Sequence, residues 1–127
     1  QETLAKNTGS ILLYSTIAVK QGFTNHTIVS TAKGAIEGLT LSLAAEFAPK
    51  IKVNCIAPSL TDAKMTQKLL NNETIKKAIE NMHPLPKIGS GDDFSDIGSF
   101  LLSDKNSWIT GQIFHIDGGR SSLRIKS

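Results

Sequence analysis

"KIKVNCIAPS", Lys50 to Ser59, is the stretch that decides the fold. Beyond Lys52 it is almost continuously apolar around a single asparagine, Asn54. A strand with one face in water alternates apolar and polar residues, whereas a strand covered on both faces has no reason to. Such a strand belongs in a parallel sheet with helices packed on either side. Just ahead of it, Pro49 limits any preceding helix to about Ala48, because the residue before a proline is driven out of the helical region.

Upstream lies "HTIVSTAKGAIEGLTLSLAAE", His26 to Glu46. From Val29 onward its apolar positions fall at 29, 32, 36, 39, 43 and 47, the spacing of a buried helical stripe. Thr24 or Asn25 can cap its start. Gly34 and Gly38 permit another helix or strand to come close, and packing accounts for them because glycine weakens a helix. Earlier still, "GSILLYST", Gly9 to Thr16, is a short apolar run after a turn glycine and reads as another buried strand. Tyr14, two residues before Thr16, shares its strand face and is expected to be a core aromatic.

Downstream, Pro58 leads into "SLTDAKMT", where Thr61 or Asp62 can cap a short helix. "ETIKKAIENM" is a second helix with Asn72 as its cap, and "HPLPKIGSG" is a turn-rich loop. "DDFSDIGSFLLSD" is a third, whose Asp92, Asp93 and Asp96 suit the positive end of the helix dipole. "GQIFHIDGG" closes the series as a strand ending in a glycine turn. The order β-α-β-α-α-α-β argues for an α/β parallel sheet. With its edges open, a sheet of this size is expected to be part of a larger one.

The chain has 127 residues, enough for one domain with a modest core. No apolar run approaches the roughly 18 residues of a membrane span, and no signal segment opens the sequence. The single cysteine, Cys55, excludes an internal disulfide framework and fits a reducing, cytoplasmic setting. Its apolar neighbours make it a core residue. The net charge of +3 is spread over dispersed lysines with no aromatic residues between them, so a nucleic-acid groove is not expected. His26, His83 and His115 lack ligand-like spacing, and no metal site is expected.

Lys33 is the unusual residue. It lies one helical turn after Val29, on a face that otherwise points inward, among Ser30, Thr31, Ala32, Gly34 and Ala35. A lysine snorkelling from the first turn gives the same pattern. A lysine reaching a ligand that approaches the backbone closely also gives it.

Together these segments resemble the C-terminal half of a short-chain dehydrogenase/reductase, a single-domain enzyme with a Rossmann-type, doubly wound parallel sheet. "GSILLYST" resembles the fifth strand and "STAKGAIEGLTLSLAAEFAP" the helix with the Tyr-x-x-x-Lys motif. "IKVNCIAPSLT" resembles the sixth strand with its Pro-Gly loop, and the segment from His83 to Gly119 resembles the substrate-side loop, last helix and final strand. The resemblance implies that residues 1–127 form the catalytic, substrate-side half of one domain, and that the Gly-rich nucleotide-binding half would precede Gln1. It implies an NAD or NADP cofactor, a small carbonyl or alcohol substrate, and a homo-oligomer, either dimer or tetramer.

By that resemblance, Lys33 matches the lysine that holds the cofactor ribose and favours ionisation of the neighbouring tyrosine. Thr16 stands at the active-site serine, with Ser15 beside it. Pro58 and Ser59 stand for the Pro-Gly pair. Ala63 occupies the place of the threonine that meets the nicotinamide amide, and Thr61 can supply that hydroxyl. Val29 stands where the tyrosine belongs and cannot move a proton. His26, Tyr14 and Ser30 are the nearby groups that could replace it. Two functions follow. One is an oxidoreductase built on Thr16 and Lys33 with another acid or water; the other is a catalytically impaired cofactor-binding or oligomer-forming scaffold.

Overall fold

The computed structural model describes residues 8–61 and 66–126. Three parallel strands form one sheet in the order β1 (Gly9–Tyr14), β2 (Ile51–Pro58), β3 (Ile113–Ile116). Gly9 lies opposite Ile51 and Tyr14 opposite Ile56, while Cys55 faces Ile113 and Pro58 faces Ile116. Helix α1 (Thr27–Phe47) links β1 to β2. Helices α2 (Gln67–Leu70), α3 (Glu73–Glu80) and α4 (Asp92–Leu102) lie between β2 and β3.

The central strand is covered on both faces, as its composition requires. Val53, Cys55, Ile56 and Ala57 are wholly enclosed. Ala44 of α1 packs with Ile51 and Val53, and half-buried Ile11, Leu13, Leu43 and Phe47 surround them. Leu12 points the other way, where it meets Gly98 of α4 closely enough that a β-carbon there would sit 3.4 Å from its methyl. Asn54 interrupts the apolar run because it ties β2 to the segment that enters β3. Its Oδ1 accepts from the Gln112 amide at 3.0 Å, and its Nδ2 donates to the Ile109 carbonyl at 3.0 Å.

Several local expectations are changed. Neither Thr24 nor Asn25 caps α1; His26 occupies that position without a side-chain cap, and Asn25 turns the chain at φ 63°. Tyr14 is 47% exposed rather than buried, since it ends a strand paired on one side only among the described residues. Val19 approaches Gly34, 3.9 Å from where a β-carbon would stand, and apart from the adjoining backbone of α1 itself no described atom lies within 4 Å of that point at Gly38. Asp62 and Ala63 lie outside the described residues. Other features hold: α1 stops at Phe47, Asn72 Oδ1 caps α3 through the Thr74 and Ile75 amides, and Gly118 and Gly119 turn at φ 62° and 90°. Among the described residues no helix is long and apolar enough to cross a membrane.

Candidate active site

Because the strands are parallel, β1 and β2 release the chain on the same side of the sheet, at Ser15–Thr16 and at Pro58–Ser59. Open α/β sheets hold ligands at these carboxyl ends. Ser15 and Thr16 are separated by their partners. Ser15 is buried and its hydroxyl donates to the Glu37 carboxylate. Thr16 Oγ1 accepts from the Ala18 amide at 3.3 Å, which leaves its O–H as a free donor. From α1, Lys33 Nζ donates to the Tyr14 carbonyl at 3.3 Å, holding the ammonium at the end of β1. Val29, one turn earlier, is 48% exposed.

Thr16 and Ser59 line one cleft of about 540 Å³, together with Phe23, His26, Met82 and Arg120. A smaller cavity of about 160 Å³ shares Ser59 and Leu60 with it and is lined by Thr61, His83 and Asp117. The structure thus brings Thr16 and Ser59 together and places Thr61 behind them. Lys33 and Pro58 border the same strand ends without lining either space. His26 Nδ1 donates to the Thr24 carbonyl at 2.8 Å, and its ring meets Phe23 edge-on.

Ser59 is bonded in a way the sequence did not disclose. Its Oγ lies 2.7 Å from Nε2 of His83, a buried ring whose Nδ1 lies 2.8 Å from the Ile79 carbonyl. A carbonyl only accepts, so Nδ1 carries a proton; in the neutral tautomer Nε2 is then the acceptor for the Ser59 hydroxyl hydrogen. Arg120 Nη1 stands 3.5 Å from the same oxygen. The Arg120 guanidinium is stacked 4.6 Å above the Phe23 ring.

The turn after β3 fixes Arg120. Asp117 accepts from the amides of Gly119 at 2.9 Å and Ser121 at 3.0 Å, and its carbonyl accepts from the Arg120 amide at 3.2 Å. Burial pushes the Asp117 carboxyl up, but hydrogen bonds from Ser121 and Gly119 outweigh it and hold the group below the ordinary carboxylate range. Burial raises the Cys55 thiol, which suits a core residue rather than a nucleophile.

In the sequence His83 stands far from Ser59 with nothing to show that its ring reaches it, and nothing local marks an arginine after a glycine turn as inward-facing. The donor set at the strand ends fits a nicotinamide riboside. The Lys33 ammonium has N–H groups beyond the one given to Tyr14, Thr16 and Thr61 offer hydroxyls, and Ser59 Oγ, its hydrogen given to His83, offers an acceptor.

Residues 1–121 match the family described as enoyl-(acyl carrier protein) reductase. A 3-oxoacyl-[acyl-carrier-protein] reductase of Chlamydia trachomatis is 37% identical over 112 residues, covering 87% of this chain and 44% of its own. A short-chain type dehydrogenase/reductase from Mycobacterium ulcerans superposes with a TM-score of 0.87 at 27% identity, over 97% of this chain and 45% of that one. ElxO, solved with NADP bound, gives a TM-score of 0.87 at 32% identity, over 96% of this chain and 50% of that one. The chain spans less than half the length of these curated relatives, from 35% to 44% of each.

Proposed function

The chain belongs to the short-chain dehydrogenase/reductase family, and we propose that it is the catalytic, substrate-side half of an NAD(P)-dependent oxidoreductase interconverting a small carbonyl compound and its alcohol. The observation that carries this is the convergence at the strand ends. Thr16 and Ser59 share one cleft, and the Lys33 ammonium is anchored two residues from Thr16, at the Tyr14 carbonyl.

A nicotinamide dinucleotide, when bound, supplies or takes up the hydride. Lys33 would hold its ribose hydroxyls, and Pro58, Ser59 and Thr61 would border the nicotinamide ring. The Thr16 O–H donates to the substrate oxygen. With Val29 at the family's tyrosine position, the proton moves through Ser59. In alcohol oxidation the substrate proton passes to Ser59 Oγ while the Ser59 proton passes to His83 Nε2. In carbonyl reduction both transfers reverse, starting from the imidazolium. The full-length enzyme works as a homo-oligomer in the cytoplasm, with the open face of α1 around Gly38 and exposed Ile28 and Leu41 available for contacts between copies.

The rival reading is a catalytically impaired scaffold that binds cofactor or assembles without turnover, and Val29 is the feature that favours it. An intact-mass measurement of the native preparation fixes the chain to be tested. NADH and NADPH titrations of that full-length protein, and of its Lys33→Ala variant, then separate the readings. The enzyme reading expects binding of one nucleotide, with affinity falling at least about tenfold in the variant. It expects reduction of some member of a ketone and aldehyde panel. It is overturned if neither nucleotide binds, or if the variant binds and turns over like the wild type. An oligomer that forms without nucleotide, persists in Lys33→Ala and reduces nothing supports the scaffold.

A further inference from the structure

Among the described residues the cleft has a cation and no acid. None of the described residues that line it, Thr16, Phe23, His26, Ser59 and Arg120 among them, is an aspartate or glutamate. The guanidinium of Arg120 is half-buried, and no carboxylate of a described residue lies within ion-pair distance of it. The nearest candidate in sequence, Asp117, spends its oxygens on the Gly119 and Ser121 amides. A partly desolvated charge with no carboxylate against it among the described residues is a ready receptor for an anion.

We propose that Arg120 binds the carboxylate of the substrate, and that the substrate is a 2-oxo acid or the corresponding 2-hydroxy acid. The guanidinium is a planar fork matched to a carboxylate, and the Phe23 ring holds that fork in place before any ligand arrives. The glycine turn fixes the backbone from which it springs. The spacing sets the rest of the molecule. Arg120 Nη1 and Ser59 Oγ are 3.5 Å apart, a spacing that suits a carboxylate on the arginine and a reacting oxygen on the serine carried by neighbouring carbons. Ile17, Leu60, Ile79 and Met82 supply an apolar bed for the remainder of the substrate.

The identity of the reacting oxygen rests on the oxidoreductase reading above; the carboxylate site does not. In the reductive direction the carbonyl carbon of the 2-oxo acid accepts a hydride from the reduced nicotinamide. Its oxygen accepts one proton by way of His83 and Ser59. The products are the 2-hydroxy acid and the oxidised nicotinamide, and the carboxylate stays ionised on Arg120 throughout.

The test uses the full-length protein and two matched pairs of probes. Benzoate and benzamide are compared by calorimetry, with no turnover required. Benzoylformate and its methyl ester are compared as substrates with the nucleotide that binds. Wild type is expected to bind benzoate and not benzamide, and to prefer the acid to the ester by about tenfold to a hundredfold in kcat/KM. In Arg120→Gln the benzoate heat disappears and the acid-to-ester ratio falls toward one. Arg120→Lys keeps the charge, loses the fork, and recovers part of both; should Arg120→Gln fail to fold, the wild-type pairs and Arg120→Lys decide the matter. Benzoate binding that depends on Arg120, without reduction of any carbonyl, upholds the carboxylate site and overturns the oxidoreductase reading. Reduction of acid and ester alike, with no dependence on Arg120, does the reverse. Failure of both measurements overturns both.

Discussion

The Ser59 hydroxyl and the His83 imidazole form a directional pair: the Ile79 carbonyl claims Nδ1 at 2.8 Å, so Nε2 is turned to Ser59 at 2.7 Å as an acceptor. His83 sits on the chain after α3 and Ser59 on the turn after β2, so the pair joins the substrate-side segment to the end of the sheet. Because His83 lies behind Ser59 and away from the wide cleft, it can hold a proton without touching substrate.

If this pair moves the proton, its members act as a unit. Ser59→Ala and His83→Gln should each lower kcat by about a hundredfold or more, and the double variant should be no worse than the poorer single. Steady-state kinetics of all four proteins measure this. Losses that multiply would mean that the two residues serve separate purposes.

Restoring a phenol one turn before Lys33 should add a second proton route. Val29 is half-exposed in the first turn of α1, so Val29→Tyr creates no overpacking. We expect reductase activity to rise by about tenfold or more. An unchanged rate with intact nucleotide binding would show that substrate does not reach this side of α1.

Asp117 gives a stability effect with a definite sign. Its folded carboxyl titrates below the ordinary value of 3.8, so as pH falls the unfolded chain binds the proton first. The stabilisation is therefore complete above the ordinary value and is lost as pH drops through the depressed one. Asp117→Asn should cost about 1–3 kcal/mol at neutral pH and flatten the decline of stability in acid. Denaturant midpoints measured from about pH 2 to 6 check both parts, and parallel curves for variant and wild type would refute the assignment.

Asn54→Leu fills the same space but abandons the bonds to Gln112 and Ile109. A loss of about 1–3 kcal/mol is expected in chemical denaturation, despite the gain in apolar surface. A more stable variant would mean that the asparagine contributes nothing to the entry of β3.

The sheet was legible because β2 carries its own explanation: an apolar run enclosed on both faces, followed by a proline. The strand ends were legible too, since parallel topology places Thr16 and Ser59 side by side. What sequence spacing hides is contact across long separations. Nothing near His83 shows that its ring faces Ser59, and nothing near Arg120 shows that Phe23 lies beneath it. The cap of α1 was misjudged because Asn25 uses its tolerance of left-handed backbone to turn the chain, leaving the capping position to His26. Tyr14 was misjudged because alternation on a strand reports a face, and says nothing about whether that face is covered at the strand's last residue.

Cys55 gives the molecule an internal clock. It is the sole cysteine, it sits on the middle strand between β1 and β3, and its thiol is wholly enclosed. A thiol reagent must wait for the sheet to part before it can react, so labelling kinetics report the free energy of that opening at one known place. Anything that binds only the closed form slows the labelling in proportion to its occupancy. Ligands for the cleft can thus be ranked by how long they delay a single chemical event at the centre of the sheet, with no catalytic readout.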